Sequence, residues 1–265
     1  MNEINLSLHE FRLLVESQYN KFTDGNYIKI QEDMLKSSGI DPDFNNIKSN
    51  EIRQKCRFLG ENGWVISPFW EPNINETWYD TWFWLAYEGK SDLISNYFEK
   101  DNYLLLKQVN GYSRFEVTRY DWFIEAEKLF EAKYYTSCSM VLTAILEASI
   151  RECPIDDWTQ KITVFFDRAV RTKVEDYYTN ISIEPLSRYI DTVLLLPSID
   201  GFIEMYFNSG ARFEKKNEPP YLERNWLMHG MTKRKINEAD CIKLFNVICS
   251  LHYVKHSIFG TFYGH

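Results

Sequence analysis

The residues best suited to chemistry lie in one short run of the sequence. The run is Arg224-Asn225-Trp226-Leu227-Met228-His229, and Gly230 follows it directly. It places a guanidinium, a carboxamide and an imidazole within about one and a half helical turns. Arginine keeps its charge at physiological pH, an amide can orient its neighbour, and histidine titrates near neutrality. Together these groups can break a phosphodiester bond without a metal ion.

RNA suits this set of groups, because its own 2′-hydroxyl can act as the nucleophile. His229 can take or give the proton, Arg224 can bind two non-bridging oxygens, and Asn225 can orient either partner. On a straight helix, however, residues five apart point about 140° away from each other. We therefore expect either that the helix ends near Met228 or that a second copy of the chain completes the site. Gly230 favours such an end, because glycine readily takes the left-handed position that terminates helices.

The second half of the chain has the periodicity of amphipathic helices. Apolar residues at three- and four-residue steps predict a helix from Phe115 to Phe130 and another over 136–152, which Pro154 ends. Further helices are predicted near 158–178, 185–195 and 199–208. A last helix should begin after Asn237, whose side chain can cap it with Asp240 three residues on, and should continue to about 258. Residues 115–265 are therefore predicted to form an antiparallel helical bundle.

The first 110 residues are predicted to be a separate, mostly helical accessory region. Helices are expected over 6–22 and 75–98, and a third over 51–59 that turns into an extended piece at 62–66. The dipeptide Asn110-Gly111 favours a hairpin, so 103–107 and 112–116 are either its two arms or a linker into the next helix. The fold class predicted for the chain is all-α.

Composition indicates a packed protein of the cytoplasm. Hydrophobic residues make up 45% of the chain and aromatic residues 16%, which is enough for a large core and excludes a disordered chain. The five Cys are scattered, without zinc-ligand spacing, and are expected to be reduced and buried. No secretion signal is visible at the first residues, and no apolar run is long enough to span a bilayer.

Charge is distributed unevenly along the chain. The formal net charge is −8, which argues against a general polyanion binder. Residues 211–236 nevertheless carry seven basic and three acidic side chains, a net charge of +4 around the Arg–His run. This segment is either a solvated loop or a local patch that attracts phosphate. On the second interpretation, Lys233, Arg234 and Lys235 would hold an RNA backbone beside the run.

The pattern Arg-Asn-x-x-x-His, late in an all-helical domain, resembles the HEPN superfamily (higher eukaryotes and prokaryotes nucleotide-binding). The helix pair that carries Phe123, Ala126, Leu129 and Phe130 and then the run 139–147 is similar to that family's opening hairpin. The resemblance covers about residues 115–260. It implies a metal-independent ribonuclease of toxin–antitoxin, abortive-infection or CRISPR-linked defence systems. It also implies a homodimer in which two motifs face each other, although some members have lost catalysis and serve as binding or dimerisation modules.

The sequence therefore predicts a metal-independent endoribonuclease, a bacterial toxin or anti-phage effector that cleaves RNA through its 2′-hydroxyl. Arg224, Asn225 and His229 are the predicted catalytic residues, and Glu147 is a candidate supporting residue on the second bundle helix. The expected partners are RNA, a second copy of the chain, and an antitoxin or sensor protein, with no cofactor, metal or membrane.

Two other functions remain open at this stage. The first is a catalytically inactive HEPN-like module that binds a nucleotide or a protein. The second is a DNA-binding regulator that uses residues 51–66 as a helix and wing, which the acidic charge disfavours.

Structural roles compete with each of these functional interpretations. Arg224 could pair with Glu223 or Glu218 at the surface while His229 caps a helix. His252 and His256 have the i, i+4 spacing of a metal pair, but core and surface roles are favoured because no third ligand accompanies them. Asp156 and Asp157 most simply cap the helix that follows them. One aromatic cluster could stack bases, although its helical spacing favours a core; it comprises Trp78, Tyr79, Trp82, Phe83, Trp84 and Tyr87.

Overall fold

The computed structural model describes residues 6–19, 33, 46–73, 76–153, 189–207 and 217–259, and every regular element in these ranges is helical. This confirms the all-α class. The α-helices are α1 Leu8–Tyr19, α2 Ile47–Glu61, α3 Asp80–Tyr87, α4 Ser95–Glu116, α5 Tyr120–Glu131, α6 Tyr135–Arg151, α7 Leu196–Tyr206, α8 Arg224–Met228 and α9 Glu238–Phe259. A 3₁₀ turn, Ser91–Ile94, leads into α4, and a π-helical turn, Ile190–Leu195, leads into α7.

Some predicted features lie outside the described residues. These are the helix near 158–178, the cap at Asp156 and Asp157, and the basic residues Arg212, Lys215 and Lys216. Among the helices that are described, none is both long and apolar enough to cross a bilayer.

The start of α9 confirms the predicted cap. Asn237 Oδ1 accepts a hydrogen bond from the Asp240 backbone N–H at 3.1 Å, and Asp240 Oδ2 accepts one from the Asn237 N–H at 3.0 Å. This reciprocal arrangement satisfies two backbone donors that a helix start otherwise leaves without partners. The boundary of α9 is therefore fixed by local sequence.

The helix directions differ from the predicted antiparallel bundle. Three contacts pair α6 with α9 in ascending order along both helices: Tyr135 with Glu238, Ser139 with Cys241, and Ser149 with His252. The two helices therefore run parallel. Helices α5 and α6, joined by a three-residue turn, form the expected antiparallel hairpin. Helices α4 and α5 also run antiparallel, because Tyr103 contacts Phe130 and Arg114 binds Glu127. The prediction was wrong because apolar periodicity defines a helix face but carries no information about direction.

The hairpin expected around Asn110-Gly111 is also wrong, because this segment is part of α4. Leu105, Leu106 and Val109 are buried, and their helical spacing forms a stripe that packs on α9. Burial of that stripe outweighs the local turn preference of the dipeptide. The predicted domain boundary also falls inside α4, and one hydrophobic core includes buried side chains from both sides of it.

Helices α2 and α7 approach each other closely through two glycines. A Cβ on Gly60 would lie 2.1 Å from Ser198 O, and one on Gly201 would lie 2.3 Å from Arg57 O. Any larger residue would therefore force the backbones apart. Arg57 also binds Asp200 and Glu204 of α7, so ion pairs flank the contact.

The piece after α2, predicted to be extended, has no regular secondary structure and is buried. Trp64, Val65 and Ile66 are at most 1% exposed. Asn246 donates to Val65 O at 2.6 Å and Ser250 donates to Ile66 O at 2.9 Å, so side chains of α9 satisfy its backbone. A buried segment of this kind cannot serve as a wing that enters a DNA groove.

The aromatic cluster of residues 78–87 divides into a core part and a surface part. Trp78 and Trp82 are buried, and the Trp82 ring lies 4.6 Å from that of Trp70, which confirms a core role for these two positions. Trp84 and Tyr87 are exposed on the outer face of α3. The helix is shorter than expected, because Gly89 takes a left-handed conformation (φ +72°) just after it.

Candidate active site

The Arg–His run forms the five-residue helix α8, whose two ends are fixed by local contacts. Glu223 Oε2 accepts hydrogen bonds from the backbone N–H groups of Asn225 and Trp226, both at 3.0 Å. At the other end Gly230 is left-handed (φ +67°), and the Trp226 carbonyl accepts hydrogen bonds from the backbone N–H groups of Met231 and Thr232. Trp226 and Leu227 are buried and anchor the helix. The predicted stop at Gly230 is confirmed.

Arg224 is held from two sides. Its Nε donates to Glu147 Oε1 of α6 at 2.5 Å, and its Nη1 donates to Asn225 Oδ1 at 2.8 Å. A guanidinium has five N–H groups in a rigid plane, so these two bonds fix its orientation. The remaining N–H groups, one on Nη1 and two on Nη2, donate to no other described residue. They are positioned to bind an anion.

His229 lies just beyond the helix and is exposed. Its backbone N–H donates to Asn225 O at 3.1 Å, with φ −93° and ψ 5°. This i→i−4 bond keeps His229 close to its helical position, so Arg224 and His229 still diverge by about 140° around the axis of α8. The end of α8 at Met228 therefore does not by itself bring the two side chains to one face, which leaves a second copy of the chain as the expected way to complete the site.

Arg224 does not form the ion pair with Glu223 or Glu218 that its competing structural role predicted. Glu223 caps α8 instead of pairing with Arg224, and Glu218 accepts the backbone N–H groups of Lys233 and Arg234 at 2.9 and 3.3 Å. The carboxylate that does reach Arg224 belongs to Glu147. Sequence reasoning missed the cap because Glu is not among the preferred N-cap residues. Its position directly before the run is the only signal that could have indicated it.

The three basic residues after the motif do not behave alike. Lys233 and Lys235 are exposed, whereas the Arg234 guanidinium binds Asp240 Oδ1 at 2.5 Å. Asp240 belongs to the cap of α9, so Arg234 stabilises the start of that helix. Of the predicted RNA contacts, the structure therefore presents two ammonium groups to solvent and places the guanidinium in an ion pair.

The two histidines of α9 have the core and surface roles that were favoured. His252 is buried and its Nε2 lies 2.9 Å from Ser149 Oγ, and burial lowers its pKa to about 4. His256 is exposed, 3.9 Å from a Glu116 carboxylate oxygen. Among the described residues, no group of His, Cys, Asp or Glu side chains could hold a metal ion. All five Cys are buried, as expected, and none forms a disulfide among the described residues.

Comparisons of the chain with family models, with curated proteins and with solved structures gave no match. The function of the site is therefore inferred from the residues and contacts described above.

Proposed function

We propose that this protein is a metal-independent endoribonuclease whose site consists of Arg224, Asn225 and His229. The observation that carries the proposal is the arrangement around Arg224. Glu147 and Asn225 fix its guanidinium, three N–H groups remain for a ligand, and an exposed imidazole follows at the end of the same helix. A fixed cation beside a group that exchanges protons suits cleavage of a phosphodiester.

The reaction needs no group beyond these, the RNA itself and solvent water. The imidazole of His229 takes the proton of the 2′-hydroxyl, and the 2′-oxygen forms a bond to phosphorus. The bond from phosphorus to the 5′-oxygen breaks, and that oxygen takes a proton from a water molecule as it leaves, while His229 returns its proton to the solvent. Arg224 binds the non-bridging oxygens and stabilises the charge that accumulates on them in the transition state. The products are a 2′,3′-cyclic phosphate and a 5′-hydroxyl.

Glu147 is a positioning residue in this mechanism. It contacts the guanidinium and has no part in proton transfer to the RNA. Both side chains of the pair are largely shielded, with 24% of Arg224 and 16% of Glu147 exposed. A charge-assisted hydrogen bond at such a place restricts the guanidinium to one orientation, which lowers the cost of ordering it when phosphate binds.

We further propose that two copies form the complete site. A second His229 could protonate the leaving oxygen while the first takes the proton of the nucleophile. Two exposed methionines suit such contact: Met231, two residues after His229, is 40% exposed, and Met140, seven residues before Glu147 on α6, is 39% exposed. The resemblance to the HEPN superfamily extends the proposal to a cytoplasmic bacterial toxin or anti-phage effector, controlled by an antitoxin or sensor.

The proposal is tested by incubating purified protein with labelled RNA in EDTA. The wild type should cleave, and His229→Ala should lose at least about a hundredfold in rate, the lower range for removal of a general acid–base. His256→Ala is the matched control, because it removes another exposed histidine, and it should cleave normally. Abolition of cleavage by EDTA, or full activity in His229→Ala, would contradict the proposal.

A non-catalytic binding module is the second candidate, and the Arg224–Glu147 ion pair favours it. That ion pair links α8 to α6 and would stabilise the structure without any reaction. The same experiment separates the two, because a binding module retards RNA in a gel but leaves it intact. For the DNA-binding regulator, burial of residues 64–66 removes the predicted wing.

A further inference from the structure

A cavity lined by none of the Arg–His residues lies between α4, α5, α6 and the start of α9. Its volume is about 540 Å³, within the range of small-molecule sites. One face of α4 supplies a wall of residues at helical spacing: Leu106, Lys107, Asn110 and Arg114. Tyr103 also lines the cavity and ends a non-helical interruption of α4, residues 100–103. Phe130 and Tyr135 complete an aromatic side, with ring centroids 5.8 Å apart in an edge-to-face arrangement. The exposed face or edge of such rings can contact a planar ring.

The most informative residue of the cavity is Asn110. It is 8% exposed, and its Oδ1 is buried with no hydrogen-bond partner among the described residues. A buried acceptor without a partner is costly, so it indicates a ligand donor that completes it. The Asn110 amide carries an acceptor oxygen and a donor NH₂ side by side, so it can accept one hydrogen bond and donate another at the edge of a planar ring.

Two fixed clusters close the ends of this cavity. Tyr103 and Tyr135 donate their hydroxyls to Glu238, at 2.5 and 3.1 Å. The hydrogen bond to Glu238 raises the pKa of Tyr103 to about 12, so this hydroxyl remains a donor at neutral pH. At the other end, Arg114 binds Glu127 through two hydrogen bonds of 2.8 Å. The walls are therefore set before any ligand arrives.

Two lysines of the cavity wall are exposed and form no ion pair with a described residue. They are Lys107 on α4 and Lys133 in the turn between α5 and α6. Lys133 has a left-handed backbone (φ +62°), a conformation that glycine adopts more easily. A lysine at such a position carries backbone strain. Two exposed ammonium groups in one cavity wall attract an anion.

We propose that this cavity binds an adenine nucleotide. Asparagine is suited to adenine, because it accepts from the N6 amino group and donates to N7. The base would lie against the aromatic side and hydrogen-bond to the Asn110 amide. The phosphate would form ion pairs with Lys107 and Lys133. This site is separate from the Arg–His motif and does not depend on the function proposed for it.

The test is a titration of the purified chain with adenosine 5′-monophosphate (AMP), followed by calorimetry. Adenosine, uridine 5′-monophosphate and inorganic phosphate are titrated for comparison. Asn110→Leu should weaken AMP binding about tenfold or more, the loss of one base-specific pair. Its melting temperature should hold or rise, because the substitution removes an acceptor that has no partner in the free protein. A structural role for Asn110 would lower the melting temperature instead.

The lysines are tested by the double substitution Lys107→Ala with Lys133→Gly, each chosen to suit its backbone. It should weaken AMP binding and reduce its salt dependence, whereas Lys128→Ala, an exposed lysine of α5 outside the cavity wall, should change neither. Saturable AMP binding that is tighter than that of the other three probes, and sensitive to both sets of substitutions, supports the proposal. Absence of saturable binding, equal binding of phosphate, or AMP binding unchanged in both variants would overturn it.

Discussion

Arg224 divides its N–H groups between holding its own position and binding a ligand. Two of the five are used for Glu147 and Asn225, at 2.5 and 2.8 Å. An arginine without such anchors would have to be ordered at the moment of binding, at a cost of about 1–2 kcal/mol in side-chain freedom. The Glu147 contact is therefore the part of the site whose effect can be measured separately from the chemistry.

Substitution of Glu147 should affect the rate more than the fold. We expect Glu147→Ala to lower kcat about tenfold, because the guanidinium then samples several orientations in the transition state. Glu147→Gln keeps an acceptor for Arg224 Nε and should retain more of the rate. Steady-state kinetics with melting temperatures check this, and Glu125→Gln on the exposed side of α5 is the control. If both Glu147 variants kept the kcat of the wild type, the contact would only stabilise the structure.

Because His252 is buried, the free energy of unfolding should depend on pH. Burial first, and the nearby Lys255 second, lower its pKa from 6.5 to about 4, while Glu152 opposes the shift. The unfolded chain therefore binds the proton first as the pH falls. The free energy of unfolding should be unaffected by this group above pH 6.5 and should fall between pH 6.5 and 4. The full loss is on the order of 3 kcal/mol.

Urea unfolding of the wild type and of His252→Gln at pH 7 and pH 5 measures this contribution. The wild type should lose more stability than the variant over that interval, by about 1–2 kcal/mol. His256→Gln, which alters an exposed histidine, should follow the wild type. Equal losses in the wild type and His252→Gln would show that His252 is not protonated differently in the two states.

At the scale of elements, the glycines of α2 and α7 lie where two helix backbones pack closely, whereas the glycine of α4 faces open space. Gly201→Ala should destabilise the protein by about 1–3 kcal/mol or more, because the new Cβ would lie 2.3 Å from Arg57 O. Gly111→Ala in α4 meets nothing within 4 Å and should stabilise it by about 0.5–1 kcal/mol. Chemical denaturation of both variants checks this. A destabilising Gly111→Ala would contradict a helix at this position.

The elements that the sequence predicted well are those whose ends carry a local signal. The start of α9 follows from Asn237 and Asp240, and the end of α8 follows from Gly230. Segment 103–116 was predicted wrongly because its Asn-Gly dipeptide is a strong turn signal that tertiary burial overrides. The parallel course of α6 and α9 depends on contacts between residues about a hundred positions apart, which no local pattern contains.

The candidate site was predictable to a similar extent. The order of residue types in the run 224–229 points to the chemistry, and Glu147 could be named as a candidate from its helix alone. Its contact with Arg224 and the ion pair between Arg234 and Asp240 join separate helices and needed the structure. The Asn110 cavity was missed altogether, because its wall is a helix face that appears only when residues 104–116 form one helix.

At the scale of the whole molecule, an acidic protein that cleaves RNA has to concentrate positive charge at its cleft. The net charge is −8, and Arg234 is occupied by Asp240, so Lys233 and Lys235 are the exposed cations after the motif. A symmetric dimer would bring two such pairs together. Light scattering should therefore give twice the chain mass of 31.6 kDa. A monomer that cleaves RNA at full rate would contradict a shared site.

The same charges predict how RNA binding depends on salt. Replacing Lys233 and Lys235 by Ala should weaken binding and reduce the slope of log affinity against log salt by about 1.4 units, because two phosphate contacts are lost and each contributes about 0.7 on a single strand. The rate at saturating RNA should change less than the affinity, since neither lysine takes part in the reaction. Lys128→Ala serves as the control. An unchanged salt slope in the double variant would place the RNA elsewhere on the molecule.

The central claim, cleavage through the 2′-hydroxyl by His229 and Arg224, is tested most directly by the ends of the products formed in EDTA. Fragments are mapped by mass analysis and by ligation that requires defined ends. The mechanism predicts a 2′,3′-cyclic phosphate or its 3′-phosphate beside a 5′-hydroxyl, and no cleavage where the scissile nucleotide is 2′-deoxy. Fragments with a 5′-phosphate, or cleavage of the 2′-deoxy substrate, would contradict it, because water rather than the 2′-hydroxyl would then be the nucleophile.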